Sequence, residues 1–400
     1  MAGIYIHIPF CRHKCHYCNF FSLASQKQKV PFLEALKKEI ALRRNYLGEE
    51  QVNTVYFGGG TPSVYRPGEL QEVLASVISP SHAGVNTSPP ASPGTKSTSP
   101  PAPSPGGEGS VLPEYTLELN PDDVTEEYVE ELRDTWFNRF SLGVQSFDDD
   151  DLAFLNRSHS AEQAILAVKR LQKAGFENIS IDLIYGIPGA EKIRWLRNLE
   201  TAFSLGVPHI SAYALTVEPK TPLEWMISRQ KSAPVSDESQ VEQFKILMEK
   251  SRENGFQQYE ISNFSKPGMH AIHNTNYWNG IPYLGLGPSA HSYNGASRRW
   301  NISNLSKYIE NLDKGVLLYE EEVLTNIQKY NEYVMTSLRT MWGCNLEKIL
   351  DEVRSAEYEV ISKRAACFVQ QGLLTEHAGV YFLTDEGKLF ADAVASELFL

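Results

Sequence analysis

The sequence predicts an α/β protein built on a parallel sheet, followed by a small, mainly helical C-terminal domain. Three observations predict it. Six short apolar strands each run into a helical segment, and that alternation requires right-handed crossovers between parallel strands. The chain has 400 residues, more than one domain of ~150 residues needs, so there is room for an appendage. Polar and glycine-rich motifs fall where the strands end, which is where parallel sheets gather their chemistry. The sheet is either open and doubly wound or curled into a partial (β/α)6 barrel.

In chain order, strands are expected at 3–9, 53–57, 115–119, 140–144, 179–185 and 209–217. Each is a short run rich in Ile, Val, Leu, Phe or Tyr. Helices are expected at 31–47, 67–78, 125–133, 160–174, 191–205 and 237–254. Pro31 and Pro67 stand at the start of the first two, where a helix has no internal hydrogen bond for proline to lose. Beyond about residue 303 the pattern is mainly helical, with helices at 330–338 and 346–350 and a β-like finish at 380–383. The domains expected are therefore a core over 1–225, an extension over 226–302 and a C-terminal domain over 303–400.

Residues 80–110 break this pattern. Of these 31 residues, 23 are Pro, Ser, Gly or Thr, and only Lys96 and Glu108 carry charge. Such a segment cannot bury enough apolar area to offset its ordering entropy, and is read as a disordered insertion outside the core. Deleting it should leave cofactor binding intact. Loss of folding in the deletion variant, followed by circular dichroism, would show that it holds an ordered element.

Composition narrows the function. Hydrophobic residues make up 42% and charged residues 22%, a soluble globular balance. A net charge of −12 repels phosphates and anionic lipid, so neither nucleic acid nor a membrane surface is an expected partner. No run of eighteen apolar residues is present, so no membrane span is expected. The apolar stretch 4–10 has no basic flank and runs into cysteines, which reads as a strand, not a signal peptide. The expected location is the cytoplasm.

Five cysteines, an odd number, argue against a disulfide scaffold. Cys344 and Cys367 are isolated and are expected to be small buried hydrophobes. Cys11, Cys15 and Cys18 are separated by three and then two residues on the loop leaving the first strand. Thiolates so spaced suit an iron–sulfur cluster with one iron left open, or zinc if His13 or His16 supplies a fourth ligand. Gly58, Gly59 and Gly60, then Thr61 and Pro62, follow the second strand directly. Alone they read as a tight turn, because they fit neither a Walker loop nor a dinucleotide fingerprint.

The C-x3-C-x2-C spacing resembles the signature of radical S-adenosylmethionine (SAM) enzymes. The glycine turn resembles the form typical of the oxygen-independent coproporphyrinogen III oxidase-like family. That likeness extends through Glu118-Leu119-Asn120-Pro121, the block 139–147, Leu155-Asn156-Arg157-Ser158-His159 and the block 181–189. It implies a partial (β/α)6 radical SAM barrel and a 4Fe–4S cluster on Cys11, Cys15 and Cys18. It further implies SAM contacts from Tyr5, Tyr17, Gly59, Gly60, Thr61, Glu118, Gln145, Arg157 and Asp182. Carboxylates can take ribose hydroxyls or an ammonium, and Arg157 a carboxylate.

The family has two branches. The resemblance implies that the oxidases carry a further cysteine two residues after the third, where this chain has Phe20, and a longer N-terminal extension that this chain is expected to lack. The HemW-type haem chaperones end the motif in Phe and carry a His-Asn-x-x-Tyr-Trp block, present here as His273 to Trp278. The leading expectation is thus a haem-binding protein that passes haem to an acceptor protein, with the cluster and exchangeable SAM aboard; the alternative is coproporphyrinogen decarboxylation. Imidazole is a standard haem ligand, which makes His273 the candidate, with Tyr277 and Trp278 packing nearby. His291 and Tyr277 are weaker candidate ligands, and His270 is expected to be exposed. Identity of the acceptor stays open, as does formation of a homodimer.

Overall fold

The computed structural model describes residues 1–78, 112–349 and 355–400, so the expected insertion at 80–110 lies outside the described residues. The barrel elements follow in strict alternation. They are β1 (Ala2–Ile8), α1 (Lys29–Leu42), β2 (Val52–Gly59), α2 (Pro67–Ile78), β3 (Glu114–Leu119), α3 (Glu126–Leu132) and β4 (Arg139–Gln145). Then come α4 (Asp149–Phe154), α5 (Ala161–Lys173), β5 (Ile179–Tyr185), α6 (Lys192–Ser204) and β6 (His209–Ala214). Local signals set the boundaries. Thr125 caps α3, and Ser160 with Gln163 forms a capping box on α5. Pro31 lies third in α1 instead of at its start, still inside the first turn, whose N–H groups have no partner to lose.

Strands β1 to β6 pair in sequence order and in parallel. Their side chains alternate sharply. Ile4, Ile6, Ile8, Phe57, Leu117, Phe140, Leu142 and Ile181 are buried in one core with apolar residues of α1, α2, α5 and α6. The intervening positions carry Tyr5, Tyr56, Glu118, Ser141, Asp182 and Ser211. These meet one another: Ser141 donates to Asp182 at 3.2 Å and Tyr56 to Glu118 at 2.8 Å. A doubly wound sheet would bury apolar side chains on both faces. Helices on one face and polar groups on the other select the curled, barrel-like form.

After β6 come α7 (Pro222–Ser228), α8 (Asp237–Glu253), β7 (Gln257–Glu260), β8 (Asn263–Ser265), α9 (Ile272–Trp278), β9 (Tyr283–Leu286), β10 (His291–Tyr293) and β11 (Ser297–Asn301). Next are α10 (Leu305–Asp313) and β12 (Tyr319–Val323). The short strands extend the sheet at both sides: β9 pairs in parallel with β1, and β8 pairs antiparallel with β6. The first and last barrel strands therefore do not pair with each other. Leu305, Tyr308, Ile309 and Leu312 of α10 belong to the large core, and β12 to the large sheet. Both were expected in the C-terminal domain from residue 303, but α10 packs in the large core and β12 pairs with β11.

A second core begins with α11 (Asn326–Leu338) and includes Tyr330, Val334, Leu338, Cys344, Ile361, Leu374 and Leu398. Around it lie β13 (Cys344–Asn345), α12 (Ser355–Gln370), β14 (Leu374–His377), β15 (Val380–Leu383) and α13 (Ala391–Glu397). The helix expected at 346–350 is a short 3-10 turn, Leu346–Ile349. Cys344 is buried as expected, but Cys367 is exposed. The buried stripe of α12 runs through Ile361 and Ala365, four apart, and position 367 falls off it.

Candidate functional site

The three cysteines lie on the loop after β1, which several neighbours pin down. Asn156, in a left-handed conformation at φ 59°, donates from its side chain to the Lys14 carbonyl at 2.8 Å. The His16 ring meets the Phe154 carbonyl at 2.8 Å. Arg12, between the first two cysteines, donates to buried Asp123 at 2.6 Å, and Ser63 donates to the same carboxylate at 2.8 Å. Arg157 donates to Cys15 Sγ at 3.3 Å, to Asn120 Oδ1 at 2.6 Å and to the Gly143 carbonyl at 2.7 Å. Tyr17 hydrogen-bonds Cys15 and packs beside Leu155 and Leu223.

The glycine turn closes against this loop. Gly60 N–H donates to the Ile8 carbonyl at 2.8 Å and Thr61 N–H to the Phe10 carbonyl at 2.7 Å. A Cβ on Gly60 would stand 2.6 Å from the Phe10 carbonyl oxygen, and Gly59 has φ 110° with His7 in the way of any side chain. Only glycine satisfies both positions. Thr61 and Ser22 hydrogen-bond Cys11.

Below the turn, Glu118 accepts from Tyr56 at 2.8 Å and from Gly59 N–H at 3.2 Å. Asp182 accepts from Ser141 and Ser211. Among the described residues neither carboxylate forms an ion pair. Burial raises Glu118 to about 7, with Asp182 adding to the rise and Tyr56 opposing it. Burial likewise raises Asp182 to about 6. Two neighbouring buried acids with no contacting ion pair make a hollow suited to a cationic ligand, though Arg139 and Arg157 partly oppose the rise of Asp182. Tyr213 of β6 also faces Asp182; its ring is 44% exposed while its hydroxyl is held un-ionised, as expected at a solvent-reached cavity. Tyr5 meets His7 Nδ1 at 3.2 Å, and Gln145, buried at φ 68°, lies beside Arg157 at Gly143.

Of the nine residues expected at SAM, Tyr17, Gly59, Gly60, Thr61, Glu118, Gln145 and Arg157 lie with the three cysteines toward the carboxyl ends of the strands, while Tyr5 and Asp182 sit in mid-strand, each within electrostatic reach of Glu118. Sequence reasoning missed Tyr56, Asn120, Ser141, Ser211 and the Arg12–Asp123–Ser63 tether. Period-two alternation along β2, β4 and β6 carried the signal for Tyr56, Ser141 and Ser211; no local pattern announced the tether.

Burial raises the Cys18 thiol to about 11 and also raises Cys11, where Thr61 and Ser22 oppose it. Binding iron would release their protons. Among the described residues no three His, Cys, Asp or Glu side chains converge on one metal ion. Ligands of a cubane sit on different irons and need no such convergence, so this donor set fits a cluster better than a mononuclear zinc site.

The haem candidates lie elsewhere, toward the amino-terminal ends of the strands. His273 is 2% exposed. Its Nδ1 meets Thr54 Oγ1 at 2.8 Å, its Nε2 meets Tyr277 Oη at 2.9 Å, and its ring stacks on Tyr56 at 5.1 Å. Burial lowers it to about 3. In this conformation it is a satisfied core histidine. Trp278 stacks under Arg339 at 5.8 Å. His291 is exposed against Trp300 at 5.8 Å. His270 is not exposed as expected: it is wedged against Tyr259 at 4.7 Å and Trp342 at 5.9 Å. Tyr56 touches both ends, bonding Glu118 and stacking on His273.

The raised Glu118 has a measurable consequence. Its ordinary value is 4.5, so the folded state holds the proton more tightly. The stability this contributes is present below about pH 4.5 and is lost as pH rises through about 7. His7 and His273, with lowered values, act in the opposite sense. The melting temperature of wild type relative to Glu118→Gln should therefore fall between pH 5 and 8 in ligand-free protein. A pH-independent difference would show that Glu118 does not titrate there.

This barrel, with its three-cysteine loop on the first strand, defines a radical SAM protein. A sequence profile of the Radical SAM superfamily matches residues 5–202. The chain is 31% identical to the haem chaperone HemW of Bacillus subtilis over 98% of both chains. It is 33% identical to that of Mycobacterium tuberculosis, over 99% of this chain and 94% of that one. The solved structure of Escherichia coli coproporphyrinogen III oxidase, a radical SAM enzyme, covers 100% of this chain and 90% of its own with a TM-score of 0.80 at 20% identity, which bears on the fold. The chain belongs to the HemW-type branch of the radical SAM superfamily. Among the described residues no helix is long and apolar enough to cross a membrane.

Proposed function

We propose that this protein is a haem chaperone: it binds haem and hands it to acceptor proteins, while carrying a 4Fe–4S cluster and exchangeable SAM. The observation that carries the reading is full-length relatedness to proteins named as haem chaperones, at 31% and 33% identity. Phe20, 66% exposed beside the cysteine loop, stands where the oxidase branch has cysteine and favours the chaperone over the decarboxylase.

Cys11, Cys15 and Cys18 would hold the cluster, whose open iron would anchor SAM and whose electron would make its reductive cleavage available. The chain's own residues do the rest. Arg157 buttresses Cys15 and keeps its charge: burial opposes it, but Tyr17 and Cys15 more than offset that. Gly59 and Gly60 let backbone approach the ligand. Glu118 and Asp182 supply negative charge for an ammonium or acceptors for ribose hydroxyls. Tyr5, Tyr17, Thr61 and Gln145 line and close the same hollow against water. Haem is cargo, and the acceptor protein is identified by its need for haem.

The test is an anaerobic titration of the cluster-loaded protein with haem, followed by absorbance, beside a coproporphyrinogen turnover assay with SAM. Saturable one-to-one binding without decarboxylation is expected. Turnover without specific haem binding would put the oxidase reading in its place.

A further inference from the structure

We infer that haem docks at the junction of α9 with the C-terminal domain, with His270 Nε2 as its iron ligand. This rests on the haem-chaperone reading and gives the cargo a place. Among the described residues two histidine nitrogens are shielded from water with no hydrogen-bond partner: His159 Nδ1 and His270 Nε2. The His159 ring is 4% exposed and anchored through Nε2 to the Val144 carbonyl at 2.9 Å. The His270 ring makes no such anchor; it is only partly buried, and burial alone depresses its basicity. An imidazole nitrogen stripped of water and given nothing in return is a site waiting for a partner. His273, by contrast, would have to give up a hydrogen bond at either nitrogen, to Tyr277 at Nε2 or to Thr54 at Nδ1.

The surroundings suit a porphyrin. Tyr259 and Trp342 present rings to His270 at 46° and 86°. Trp342 and Met341, on the turn after α11, are each 39% exposed, and Met335 on α11 is 41% exposed. Gly343, at φ 70°, ends that turn, and the Trp342 indole must swing aside to uncover Nε2. Arg339 stands over Trp278 and pairs with exposed Asp392, so a guanidinium is at hand for propionates. Single ligation is the decisive point. A bare cation needs three or more protein ligands, and no such group occurs among the described residues. Haem iron brings four equatorial nitrogens of its own and asks the protein for one axial imidazole.

The test is an anaerobic titration of full-length, cluster-loaded protein with ferric haem, read by the Soret band. Wild type, His270→Ala, His273→Ala and His270→Gly with added imidazole are compared, the cluster absorbance reporting that each variant is folded. His270→Ala should bind at least tenfold more weakly and shift the Soret band; His273→Ala should leave the band in place. Imidazole should restore the wild-type spectrum to His270→Gly. Wild-type affinity and spectrum in His270→Ala would overturn the site and leave the chaperone reading standing, and so would failure of imidazole to rescue a folded His270→Gly. Absence of specific binding by wild type would overturn both.

Discussion

Replacing any one of Cys11, Cys15 or Cys18 with Ala is expected to abolish the iron–sulfur cluster outright. Three thiolates serve three irons, and no spare cysteine is near: Cys344 is buried in the second core and Cys367 is exposed on α12. Each sulfur also has its own support. Cys15 takes a hydrogen bond from Arg157, Cys11 from Thr61 and Ser22, and Cys18 from the Phe20 backbone N–H. The loop is fastened independently by Arg12 to Asp123 and by Asn156 to Lys14, so the barrel should still fold without the sulfurs. Anaerobic iron and sulfide analysis checks this. A triple Ala variant that still loads iron and sulfide in the usual amounts would end the cluster assignment.

The second large effect is expected at Glu118. Its two oxygens accept from Tyr56 and Gly59 N–H, and the carboxylate stands unpaired beside Asp182. A charge-assisted hydrogen bond to a cationic ligand contributes about 1.5–3 kcal/mol, so Glu118→Ala should weaken SAM binding roughly 10- to 100-fold. Glu118→Gln should recover the packing but not the affinity. Equilibrium dialysis with labelled SAM reads both, and unchanged affinity in the Ala variant would remove Glu118 from the site.

Much of this was legible in the chain. The strand at Ile179–Tyr185 and the helix at Pro67–Ile78 lie where their residue patterns put them, because a β-branched run and a proline-led amphipathic segment are local signals. The strand pattern alone leaves the choice between doubly wound sheet and barrel open, and only the family resemblance implies the barrel. The choice depends on whether alternate polar residues such as Tyr56 and Asp182 find each other across strands, which spacing does not reveal. The strands between 257 and 301 escaped notice because they are three to five residues long, too short to show alternation. His273 is a haem candidate through the resemblance of its His-Asn-x-x-Tyr-Trp block. In this conformation Thr54, more than two hundred residues away, and Tyr277 satisfy its two ring nitrogens, which the block alone does not reveal. His270, expected to be exposed, is instead covered by Tyr259 and Trp342, contacts from distant parts of the chain that no local pattern announces.

The sheet of this protein is a clamp, not a hoop. A hoop of strands cannot change circumference without breaking a rung of hydrogen bonds. Here β1 turns outward to β9 and β6 to β8, so the two jaws share no rung. The gap between them can widen or narrow by small changes of twist along the sheet with every backbone pair intact. The C-terminal domain touches both sides from outside, β7 through the Glu260–Thr340 bridge and β11 through the Arg298–Glu332 ion pair, and can limit the aperture. The mechanical compliance of the barrel therefore resides in contacts between side chains and domains, where a partner can reach it.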